Sequence, residues 1–231
     1  MIDQYEWGGG REALYRFGPA DAPVVVMLLP LFEEHNRTRT FAVALLRVLG
    51  SLGVASVLPD LPGQGDSAVP TERATVEAWR QAIGDLITTI GTTGQPHLAT
   101  LRGAAMLDSV QGVRSIWRLA PMPGRAVLDD LRRAEAVGGR REWAGFTLES
   151  PPANLVGNAL SWPLYAALEA DQSLTTPDVL LRTVRLESDP AAADLKLPGP
   201  PLWRRAEPGH DPELADRLAR DLAEWVRRCE A

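Results

Sequence analysis

The chain alternates short apolar runs with longer stretches in which apolar residues recur every three to four positions. Val24-Val25-Val26-Met27-Leu28-Leu29 is apolar throughout and partly β-branched, the pattern of a strand buried on both faces. Val54 to Leu58, His97 to Leu101 and Ser115 to Leu119 behave alike. Helical stripes lie between them. Phe41, Leu45, Leu46, Val48, Leu49 and Leu52 mark a helix from Thr40 to Leu52, closed by Gly53. Val76, Trp79, Ile83, Leu86, Ile87 and Ile90 mark a second from Thr71 to Ile90, and Gly103 to Gln111 reads as a third, short one. Ala13 to Phe17 suits a short edge strand. This alternation predicts an α/β fold: a doubly wound, mostly parallel sheet flanked by helices.

The rhythm breaks after the fourth strand. Arg125 to Val137 and Leu155 to Leu168 read as helical, and Trp143 to Leu148 as extended. Residues Ala120 to Thr176 are therefore expected to form a small helical cap at the C-terminal edge of the strands, inserted into a single domain spanning residues 1–231. Val179 to Leu186 resumes the sheet. Pro198-Gly199-Pro200-Pro201 is a rigid connector, Leu202 to Ala206 a last short strand, and Pro212 to Arg228 an amphipathic helix carrying Leu214, Leu218, Leu222, Trp225 and Val226.

Composition narrows the function classes. A net charge of −6 argues against general affinity for nucleic acid or anionic membranes. The one cysteine, Cys229, permits neither a disulfide framework nor a cysteine metal site within the chain. Asp3, Glu6 and Gly8-Gly9-Gly10 interrupt any signal-peptide pattern. The longest apolar run, Val24 to Leu31, is far short of the roughly 20 residues of a membrane helix. The expectation is a cytoplasmic protein without membrane insertion, metal or cofactor.

The candidate chemistry centres on His97-Leu98-Ala99-Thr100-Leu101-Arg102-Gly103-Ala104-Ala105-Met106. It reads as a buried strand, a sharp turn and a small-residue helix, the layout of a nucleophile elbow. Small residues, Thr100 and Ala104, stand two positions either side of the tip, as close strand–helix approach requires. A hydrolase needs Ser, Cys or Asp at the tip; Arg102 stands there. A guanidinium stays charged and offers no lone pair, so it cannot attack a carbonyl. The plainer reading is an ordinary strand, turn and helix with an exposed arginine.

Further candidates flank the strand ends. Asp189 follows the strand Val179 to Leu186, and His210 precedes the last helix, the positions of an acid and a histidine that follow a nucleophile in chain order. Asp189-Pro190 also suits a turn, and His210 a loop beside the helix cap Asp211. After the first buried strand, Leu31-Phe32-Glu33-Glu34-His35-Asn36-Arg37 sits where a loop amide would complete an oxyanion hole. Its polar residues suit a solvated loop or an internal ion pair to Arg102 better than a metal site, since no second histidine lies at ligand spacing. Gly63-Gln64-Gly65-Asp66-Ser67-Ala68 matches G-x-G-x-x-A, but Pro62 and Pro70 flank it and no helix opens there, so it reads as a structural turn. Ser67, Ser109, Ser150 and Ser161 lack an elbow's small flanking residues.

Four stretches carry a family likeness: Leu31 to Arg37; Asp60-Leu61-Pro62-Gly63-Gln64-Gly65-Asp66-Ser67; Leu101-Arg102-Gly103-Ala104; and Trp203 to Pro212. With these the chain resembles the α/β-hydrolase superfamily, and within it is most similar to the second type of exosortase-A-system-associated hydrolase. The resemblance implies an arginine at the elbow as a family trait and a bacterial setting among exopolysaccharide and protein-sorting systems. It implies no particular reaction.

Three functions stay open at this point. One is a non-catalytic homologue whose Arg102 and Gly103, with Leu31, Phe32, Glu33 and Asn36, bind a small anionic ligand; the charge would add to amides that already favour anions. Within that reading, Glu33, Glu34 or Asp189 could instead neutralise Arg102 internally. The second is an ester or thioester hydrolase using water activated by His210 and Asp189, with Arg102 holding the oxyanion. The third is a scaffold for a protein partner, which an apolar patch rimmed by some of the seven tryptophans would favour. Oligomeric state has no signature in the sequence.

Overall fold

A computed structural model describes residues 2–92, 94–137 and 146–231. In chain order its strands are β1 (Ile2–Trp7), β2 (Gly10–Phe17), β3 (Val24–Leu28), β4 (Ala55–Pro59), β5 (His97–Leu101), β6 (Ser115–Leu119), β7 (Ala153–Leu155), β8 (Asn158–Leu160), β9 (Leu180–Leu186) and β10 (Leu195–Leu197). The helices are α1 (Glu33–Ser51), α2 (Val76–Ile90), α3 (Gly124–Val137), α4 (Trp162–Ala170) and α5 (Pro212–Glu230). Eight strands form one sheet in the order β1-β2-β4-β3-β5-β6-β9-β10. The β1–β2 and β2–β4 pairings are antiparallel and the rest parallel.

Period-two alternation sends successive strand residues to opposite cores. Val25 and Met27 of β3 face Phe41, Leu45 and Leu49 of α1 and Leu214, Leu218 and Leu222 of α5. Val26 and Leu28 face the other way, towards Val76, Trp79, Ile83 and Leu86 of α2 and Leu128 of α3. Both faces of the central strands are thus covered, which is why those strands read as continuous apolar runs.

Several boundaries differ from the sequence expectation. The first helix begins at Glu33 and not at Thr40, so Glu33 to Arg37 form helical turns and not a loop. The predicted Thr71–Ile90 helix is split: a 3-10 turn covers Thr71–Arg73, and Thr75 caps α2 by accepting from the Ala78 amide. The third helix is a 3-10 turn, Arg102–Leu107. β2 is longer than Ala13 to Phe17 and lies inside the edge strand β1. Leu155 to Leu168 is a hairpin and a helix: Val156 (φ 53°) and Gly157 (φ 82°) make the tight turn between β7 and β8, and Ser161 caps α4. The last strand is β10, and Leu202–Arg204 is a 3-10 turn. Of the expected extended stretch Trp143 to Leu148, residues 143–145 lie outside the described residues and 146–148 are not in a strand. Gly63 (φ 78°) and Gly65 (φ 59°) form a turn that opens no helix. Among the described residues, no helix is long and apolar enough to cross a membrane.

Candidate functional site

Arg102 leaves the C-terminal end of β5, near the sheet centre, with φ at 55°. A left-handed backbone is costly for a residue that carries a Cβ and persists only where surroundings enforce it. The helix side crowds the turn: a Cβ at Gly103 would lie 2.3 Å from Val127 Cγ2 of α3, so any larger residue would force Val127 to move. Thr100 and Ala104 are fully buried. The strained, small-residue turn expected of an elbow is present.

Its tip is occupied differently from a nucleophile. Arg102 Nε and Nη2 donate to the two carboxylate oxygens of Glu34, each at 3.1 Å. Nη2 also lies 3.5 Å from Asp130 of α3, and Nη1 donates to the Ala120 carbonyl at 3.5 Å. The guanidinium carbon stacks 4.8 Å from the Trp203 ring centroid. The side chain is only 10% exposed, so these charge-assisted bonds act in a site of low effective dielectric. Arg102 therefore ties together α1, α3, the end of β6 and the Leu202–Arg204 turn.

The loop amide has also found a partner. Phe32, with φ at 60°, donates its N–H to Gln64 Oε1 at 2.7 Å. The turn carrying Gln64 is anchored by Trp79, whose indole donates to the Pro62 carbonyl. Asp60, fully buried, accepts from both Arg39 nitrogens and from the Asp66 amide. Burial pushes its carboxyl up, but bonds from His35, Arg39 and that amide outweigh this and hold it below the usual range. The glycine-rich motif is thus a scaffold for the loop facing the elbow.

A cavity of about 240 Å³ adjoins the elbow, floored by Leu31, Gly103 and Met122. Val127, Leu131 and Ala134 of α3 form one side; Arg37 of α1 with Trp203 and Arg204 form another. Glu33, Glu34 and Asp130 complete the lining. Burial raises the Glu33 carboxyl, against the pull of Arg37 and of Asn158, which donates to it at 2.9 Å.

Of the residues singled out from sequence, Gly103, Leu31 and Glu33 line the cavity; Arg102 does not, but binds the lining residues Glu34 and Asp130, and Phe32 is buried. Asn36 is exposed outside the cavity lining. Asp189 bonds Arg185 at 2.6 Å and the Ala191 amide at 3.0 Å. Burial raises its carboxyl, but these two partners and Lys196 prevail and hold it below the usual range. His210 is exposed, and among the described residues no hydrogen bond joins it to Asp189 or Arg102. Sequence reasoning missed the α3 wall, although Val127, Leu131 and Ala134 stand at helical spacing. Trp79, Trp117 and Trp203 are buried, while Trp7, Trp162 and Trp225 are half-buried.

No protein-family model matches this chain, and no curated protein matches it in sequence. Solved structures do match in fold. Est1E from Butyrivibrio proteoclasticus, with ferulic acid bound, superposes with a TM-score of 0.67 at 15% identity, over 98% of this chain and 99% of that one. An epoxide hydrolase from Vigna radiata gives 0.61 at 14% identity, over 99% and 98%. A thermophilic esterase from Thermogutta terrifontis gives 0.58 at 19% identity, over the whole of both chains. The chain has the α/β-hydrolase fold. Likeness at such identities establishes architecture, and activity must be argued from the site.

Proposed function

We propose that this α/β-hydrolase-fold protein is a non-catalytic homologue that binds a small anionic ligand in the cavity beside its elbow. The observation that carries this reading is the state of Arg102. It stands where a nucleophile would, and Glu34 and the Ala120 carbonyl already engage its guanidinium. The Phe32 amide, spent on Gln64, is not free to stabilise an oxyanion. Asp189 is engaged by Arg185, and among the described residues no hydrogen bond links it to His210. Residues Ala120 to Thr176 act as the cap, supported by the side chains that α3 lends to the cavity. The sequence likeness supports a role in a bacterium beside exopolysaccharide or exosortase systems.

The test is a fluorophosphonate probe combined with a panel of short-chain aryl esters and thioesters. The reading expects no labelled serine and no turnover above buffer. Turnover lost in both His210→Ala and Asp189→Ala would instead establish a hydrolase that activates water.

A further inference from the structure

The cavity's charges are unevenly matched. Glu34 pairs with Arg102; Asp130 pairs with Arg102 and Arg133; Glu33 pairs with Arg37 and accepts from Asn158. All three carboxylates have cationic partners within the protein. The cations are not used up in the same way. Arg204 lines the cavity, is exposed, and its side chain makes no hydrogen bond or ion pair among the described residues. Among the described residues the Arg37 guanidinium makes two long contacts, 3.3 Å to the Trp203 carbonyl and 3.5 Å to Glu33, which leave most of its five N–H donors free there. Trp203, on the same side, keeps its buried indole N–H without an acceptor. That N–H has no accessible surface to offer a ligand, so on this side the free donors are those of the two arginines. The side formed by Val127, Leu131 and Ala134 offers only apolar atoms from those residues, and the floor adds Leu31 and Met122.

We propose that the cavity takes an amphipathic anion, a carboxylate or phosphate ester on a short apolar body, with its head read by Arg37 and Arg204 and not by Arg102. This rests on the binding reading above. The apolar body lies inward against α3 and the floor, and the head stays at the rim. Arg102 does not serve as receptor, because an incoming anion would have to displace Glu34 from a two-pronged bond. The elbow arginine holds the walls; the rim arginines select the ligand.

The experiment is a titration of the full chain with hexanoate, hexyl phosphate and hexan-1-ol, followed by amide NMR shifts and repeated in Arg37→Gln/Arg204→Gln. Both arginines lie at or near the surface, and the variant's thermal midpoint confirms that it folds. The proposal expects the anions to bind at least about fivefold more tightly than the alcohol, and this preference to vanish in the double variant. The ratio of hexanoate to hexyl phosphate then names the head group. Equal binding of alcohol and anions overturns the rim-anion assignment while leaving an apolar binding pocket. Absence of binding by all three overturns that assignment and the small-ligand reading together.

Discussion

The two ends of the parallel sheet carry opposite halves of what a triad needs. At the N-terminal end, Ser115 Oγ lies 2.8 Å from His97 Nδ1, and His97 Nε2 lies 3.2 Å from Glu230. The serine, histidine and carboxylate are in contact, yet Ser115 is fully buried and His97 is 1% exposed, so no substrate can reach them. Arg114 holds the carboxylate from outside at 2.9 Å, and the cluster fastens the end of α5 to β5 and β6. At the C-terminal end there is a strained elbow and a cavity, but an arginine at the tip, an acid bonded elsewhere and an exposed histidine. Connectivity without access makes a clasp; access without connectivity makes a pocket.

Substitution separates the ends. His97→Ala is expected to cost about 2–4 kcal/mol, because it opens a cavity and orphans Ser115 beneath the sheet. Urea unfolding measures this, and a loss under 1 kcal/mol would mean the clasp is idle. Arg102→Met comes next, at about 1–3 kcal/mol. Glu34 is left without its two-pronged partner but keeps 21% exposure, which softens the penalty.

A pH series sharpens the contrast. Burial holds the His97 imidazole below its usual range, against the pull of Glu230. Its folded pKa is therefore below the unfolded value of 6.5. Between the two, the unfolded chain binds more protons, so this contribution is full above 6.5 and declines as pH falls through that window. The stability difference between the parent and His97→Gln should shrink from pH 7 to pH 5; a constant difference would contradict the assignment. The smallest effects belong to the residues in triad order. Asp189→Asn should cost about 0.5–1 kcal/mol through Arg185, and His210→Ala no more than about 0.5 kcal/mol. Neither should change ester turnover.

The sheet was legible in the sequence because its central strands are buried on both faces, which leaves an unbroken apolar signature. The start of α1 was not, because Glu33 to Arg37 look like solvated polar residues; they are helical turns whose carboxylates and guanidinium line a cavity. The β7–β8 hairpin was hidden by apolar content that also suits a helix, and Val156 with Gly157 decides the matter through a turn. At the site, the tip and its strain were readable from Arg102 and its small neighbours. Its neutralisation by Glu34, weighed but left open from sequence, depends on α1 beginning early. The contribution of Asp130, Val127, Leu131 and Ala134 depends on α3 crossing Gly103, a long-range packing choice that no local pattern encodes.

The central claim is that the charge at the elbow belongs to the protein's own carboxylate. A double-mutant cycle over Arg102→Met and Glu34→Gln, read by urea unfolding, measures that link directly. A coupling of about 1–3 kcal/mol is predicted. Additivity within about 0.5 kcal/mol would contradict it and return Arg102 to the ligand as a free cation.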